Sequence, residues 1–179
     1  MTNQVKLEMQ THLDKITDKI SDKFLKEIKE DHANIDFGII EERLKTKYIQ
    51  DGHSVMILDG RKGIRIIVDH GGNKEQSEIN CKTEIKIFEK CGMKVTEHAI
   101  GEKVYSYVIQ PEKEFYQELE KIPDNEWENM SVTKTISQDI LGEIEKTATN
   151  IGFTLEDILQ LMAENTYITE LRSKMNQGS

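Results

Sequence analysis

The stretch from residue 53 to residue 110 constrains this chain most, because its apolar residues come in short β-branched runs rather than at helical spacing. Residues 55–58 and 64–68 are two such runs, joined by Asp59-Gly60-Arg61-Lys62-Gly63. A short polar loop with glycines between two β-branched runs predicts a hairpin. A second pair, residues 93–100 and 103–110, turns at Gly101-Glu102 and exits at Pro111, which cannot donate to a ladder.

Residues 73–90 lie between the pairs and admit two readings. Ile79, Cys81, Thr83, Ile85 and Ile87 alternate, which predicts a fifth strand and a meander. Against that, FEKCGMKV has the form of a helix closing at Gly92, which would make the core ββαββ. The alternation favours the strand. Either way the class is α+β: a meander-like antiparallel sheet of four to five strands at residues 53–110, with helices before and after it.

The preceding helix spans residues 4–29, with Met9, Leu13, Ile16, Ile20, Phe24 and Ile28 on one stripe. It contains the tetrads LDKI, TDKI and SDKF, in which Asp14, Asp18 and Asp22 can pair with lysines three or four residues away. The stripe packs either on the sheet or on a second copy of itself. A second helix, residues 37–49, carries Ile40, Leu44 and Tyr48 on one side, with Asp36 placed to cap it. After the sheet, residues 112–121 form a helix with Phe115, Tyr116 and Leu119 inward. Residues 137–150 and 155–174 then make an αα-hairpin, with Gly152-Phe153 closing one helix and Thr154-x-x-Asp157 opening the next. The chain thus divides at 1–50, 51–122 and 123–179, three segments expected to fold as one unit.

Charge narrows the function classes. Residues 111–179 carry 6 Lys and Arg against 14 Asp and Glu, whereas residues 1–110 are nearly balanced. An acidic field repels nucleic acid and anionic membranes and attracts basic partners. No apolar run approaches membrane-spanning length and no leader pattern opens the chain, so a cytoplasmic location is expected. Cys81 and Cys91 lack metal or redox spacing and are expected to be reduced thiols. No phosphate-binding glycine loop and no nucleophile elbow occurs, and no cofactor is implied.

The reading that remains is a non-enzymatic protein-binding module of the inhibitor, immunity, chaperone or adaptor kind, self-associating and taking a partner with a basic surface. Its expected contacts are Glu118, Asp124, Glu126, Trp127 and Glu128, an acidic cluster around the only tryptophan. A tryptophan in such a loop more often folds back to cover the core, and that reading of Trp127 is the favoured one. The alternative is a metal-dependent hydrolase or nuclease using Asp69, His70 and His98 at the sheet end, with His53 nearby. A third reading is a DNA-binding regulator whose basic tip is Arg61, Lys62 and Arg65.

Overall fold

β1 (Ser54–Gly60) and β2 (Gly63–Asp69) form the first expected hairpin, in register from Ser54 opposite Asp69 to Gly60 opposite Gly63. The structure is a computed structural model and describes residues 1–129 and 137–178. Gly63 sits at φ 138°, and a Cβ there would lie 2.5 Å from the carbonyl oxygen of Ile109. Only glycine tolerates both the angle and the approach.

β3 (Lys94–Ile100) and β4 (Val104–Gln110) form the second hairpin, and β4 also pairs antiparallel with β2. The order is therefore β1-β2-β4-β3. The segment read as a fifth strand is instead a helix, α3 (Lys74–Lys90), so the core is ββαββ. Its buried residues include Ser77, Cys81, Glu84, Ile87 and Phe88. That is a helical stripe with a serine and a glutamate in it, which a count of apolar residues does not see. Asn73 caps the helix by accepting from the Gln76 amide at 3.0 Å, and Gly92 leaves it at φ 80°.

The other helices, among the described residues, are α1 (Asn3–Asp31), α2 (Phe37–Asp51), α4 (Lys113–Glu120), α5 (Asp124–Glu128), α6 (Gln138–Asn150) and α7 (Leu155–Gln177). Asp36 caps α2 at the Ile39 amide, 2.9 Å, and Thr154 with Asp157 forms the expected capping box of α7. The sheet is a middle layer. On one face Ile66, Val68, Tyr105, Tyr107 and Ile109 pack with Leu44 and Tyr48 of α2 and with Phe88 of α3. On the other, Ile67 and Val104 pack with Ile144 and Ala148 of α6 and Ile158 of α7. Leu25 of α1 and Ile168 of α7 both join the first cluster, so its residues come from all three sequence segments.

The α1 packing differs from the expected stripe. Its buried residues are Thr17, Ser21, Leu25 and Ile28. Asp14, Asp18 and Asp22 reach across to α3 rather than along their own helix. Lys82 is 3.4 Å from Asp14, Lys86 is 3.3 Å from Asp18, and Lys90 is 2.9 Å from Asp22. Both triplets repeat every four residues, so two parallel helices bring them into register as a ladder. The hydrogen bond from Lys90, seconded by Lys86, holds the Asp18 carboxyl below its ordinary range.

Both sheet edges are blunted. The backbone amide of Asp59 on β1 donates to the Asn165 side chain of α7 at 2.8 Å, and β3 carries an irregularity between Val95 and Glu97. Among the described residues, no helix is long and apolar enough to cross a membrane.

Candidate functional site

The acidic third of the chain builds a groove. α4 presents Phe115 and Leu119, the turn after it Ile122, and the last turns of α7 present Leu171 and Met175. Together they floor a space of about 740 Å³ with Glu112, Glu114 and Glu118 around it. Arg172 fixes one wall. It donates to Asp59 at 2.8 Å, to Glu112 at 2.6 Å and to the Tyr116 hydroxyl at 3.0 Å, and its guanidinium lies 3.9 Å from the Phe115 ring centre. The Tyr116 hydroxyl in turn donates to Asp59 at 2.8 Å. Burial, followed by the adjacent Asp59 carboxylate, pushes the Tyr116 pKa up.

The expected contact residues divide. Glu118, Asp124, Glu126 and Glu128 are exposed. Trp127 is not: it is 2% exposed, packs edge-on against Tyr167 of α7, and its carbonyl accepts from Gln160 at 2.7 Å. The tryptophan covers the core and pins α5 there. Asp124 is engaged by Arg61 at 2.9 Å. The basic tip is accordingly neutralised, for Arg65 is buried against Glu97 and only Lys62 of the three is exposed.

Asp69, His70 and His98 are not brought together. Asp69 lies on the α6 side of the sheet, beside Ile144 and Met162, whereas His70 turns toward α3. His98 is in mid-strand on β3 opposite Tyr107, among Lys82 and Lys86 of α3. Among the described residues no three His, Cys, Asp or Glu side chains are grouped to hold a metal ion.

His70 does have a defined setting. Its Nε2 is 2.6 Å from the Ser77 hydroxyl, which donates to the Glu102 carbonyl, and its Nδ1 accepts from the Gly72 amide at 3.1 Å. One neutral tautomer, with the proton on Nε2, satisfies all three bonds. Burial, then the nearby His53, whose ring centre is 6.0 Å away, lowers the His70 pKa. Ser77 is completely buried, so the pair lacks the access that a nucleophile and its base require.

Deeper on the same face lies a group that alternation hid. Glu84 of α3 is buried and accepts hydrogen bonds from the hydroxyls of Tyr48, Tyr105 and Tyr107, the last at 2.9 Å. Burial pushes its carboxyl pKa up, against the three hydroxyls, which pull it down. The signal in the sequence was Tyr105 and Tyr107 two apart on a strand with apolar neighbours, since buried phenols need an acceptor. Cys81 beside it is buried, Cys91 is half-buried, and both are free thiols.

Compared with protein-family models, with curated proteins and with solved structures, the chain matches none of them.

Proposed function

We propose that this protein is a binding module for another protein, and that the groove between α4 and α7 seats a basic amphipathic helix of the partner. The observation that carries the reading is the pairing of an apolar floor with an acidic surround. An apolar stripe on the partner would bury Phe115, Leu171 and Met175, while lysines or arginines beside the stripe meet Glu114 and Glu118. This is helix-in-groove recognition with charge setting the choice of partner. Glu126 and Glu128, exposed on α5, extend the same negative field. Lys121 holds Glu118 at 2.6 Å, but an exposed ion pair of this kind exchanges readily for another cation.

The test is fluorescence anisotropy with a labelled lysine- and leucine-rich amphipathic peptide, titrated at several salt concentrations. Binding is expected to weaken as salt rises and to be lost in Glu114→Lys/Glu118→Lys. Glu126→Lys/Glu128→Lys is expected to slow association more than it changes dissociation. Binding that is indifferent to both reversals would sink the reading.

We also infer self-association through α1. Val5, Met9 and Ile20 are 43%, 59% and 37% exposed, and they line up with the half-buried Leu13 and Ile16. The occupant of that stripe is a second copy, because spacings of four, four, three and four make the stripe nearly self-complementary.

A further inference from the structure

The loop that joins β2 to α3 is fastened to the His70 ring. Gly72 lays its amide on Nδ1 at 3.1 Å, and a Cβ at that position would stand 2.8 Å from the same nitrogen, so a side chain there would push the ring aside. Asn73, the next residue, caps α3 through the Gln76 amide, and its carbonyl accepts from the Ser77 amide at 3.0 Å. On the other side of the ring, Nε2 meets the Ser77 hydroxyl, which donates to the Glu102 carbonyl at 3.2 Å. The backbone amide of His70 donates to the Lys103 carbonyl at 3.0 Å. One histidine thus ties together the end of β2, the first turn of α3 and the β3–β4 turn.

These bonds belong to one protonation state. In the neutral ring Nδ1 accepts and Nε2 donates, whereas in the imidazolium both nitrogens donate. A proton on Nδ1 points at the Gly72 N–H, donor against donor, and that hydrogen bond is lost. The Ser77 side keeps its bond, because Nε2 donates in both states. The surroundings offer the cation little. His53, just before β1, and Tyr105 of β4 face the ring, with centres 6.0 Å and 5.9 Å away. α3 begins beside it, at the helix end that disfavours positive charge. Glu102 and Lys103 meet it only through backbone carbonyls. Asp69 is turned to the α6 side, where it accepts from the Gly71 amide at 3.1 Å.

We propose that His70 is an acid-operated latch: protonation of Nδ1 ejects the Gly72 amide, frees residues 71–73 and uncaps α3. The cap moves with the loop because Asn73 follows Gly72 directly. The first turn of α3 frays while the sheet keeps its ladder. Burial and His53 set the latch to open below the ordinary imidazole value of 6.5. None of these residues lines the groove between α4 and α7, so the latch stands whether or not the groove binds a helix.

The experiment is NMR on the isotope-labelled full chain, titrated from neutral into acidic pH. The imidazole nitrogen shifts are expected to place the proton on Nε2 at neutral pH and on both nitrogens in acid. As His70 titrates, exchange of the Gly72, Gln76 and Ser77 amides, corrected for the intrinsic effect of pH, should rise about tenfold, the equivalent of one lost hydrogen bond. The Ile66 and Tyr107 amides, in the central strands, should stay protected. His70→Asn, whose side-chain oxygen can still accept from Gly72 and does not titrate, should hold the loop rates constant. Constant exchange at Gly72 and Gln76 while His70 takes up its proton overturns the proposal, as does a neutral ring protonated on Nδ1. Both outcomes are read on the unaltered chain, so the conclusion does not depend on the variant folding. An equal rise in His70→Asn would assign the opening to other groups and sink the latch.

Discussion

Glu84 shows what a single polar residue can do for a core. Replacing it by alanine strands the hydroxyls of Tyr48, Tyr105 and Tyr107 in a dry interior. Each orphaned buried group costs about 1–3 kcal/mol, so Glu84→Ala is expected to destabilise by at least about 3 kcal/mol. The measurement is a urea titration, with the midpoint falling and the slope unchanged. His70 makes a prediction of its own. Its pKa is lowered in the fold, so the unfolded chain binds the proton more tightly. The stability it contributes is complete above its ordinary value of 6.5 and is lost as pH falls through the lowered value. Urea midpoints followed from neutral into mildly acidic pH should decline over that window, and the step attributable to His70 should vanish in His70→Asn. A decline of the same size in His70→Asn would assign it to other groups.

At the scale of elements, the ladder between α1 and α3 predicts a charge-specific rescue. Lys86→Glu sets a carboxylate against Asp14 and Asp18 and is expected to lower Tm, more so at low salt. Asp18→Lys in the same chain should recover part of the loss, and a double-mutant cycle isolates that coupling. Zero coupling would mean that the ladder is only a solvated seam. The same two helices explain what the sequence concealed. β1 to β4, α2 and the capping box of α7 were legible because their periodicity is apolar and their ends are marked by Asp36, Gly52, Thr154 and Asp157. α3 was not, because half of its buried residues are Ser77, Thr83 and Glu84. The buried face of α1 was missed for the same reason, being half Thr17 and Ser21. The acidic wall of the groove was legible through Glu118, but its apolar floor was not, since it needs Leu171 and Met175 brought beside α4 by the path of α7.

For the whole molecule, one exposed apolar feature among the described residues is the stripe of Val5, Met9, Leu13, Ile16 and Ile20. Its spacings of four, four, three and four read nearly the same in reverse. Two copies laid antiparallel therefore set Val5 against Ile20 and Met9 against Ile16, with Leu13 near its own copy at the two-fold axis. An isologous interface requires this self-complementarity. The pairing also brings Glu8 of one copy toward Lys19 of the other. Antiparallel dimerisation is thus favoured by packing and by charge together. Sedimentation equilibrium is expected to give a dimer whose Tm rises with protein concentration, as mass action demands of any state that binds its own kind. Met9→Glu/Leu13→Glu should convert it to a monomer with its fold intact, since neither side chain belongs to the core clusters. A chain that is monomeric before substitution would leave the stripe to a different protein. Because α1 and the groove share no residue, peptide binding at α4 and α7 should be the same in monomer and dimer.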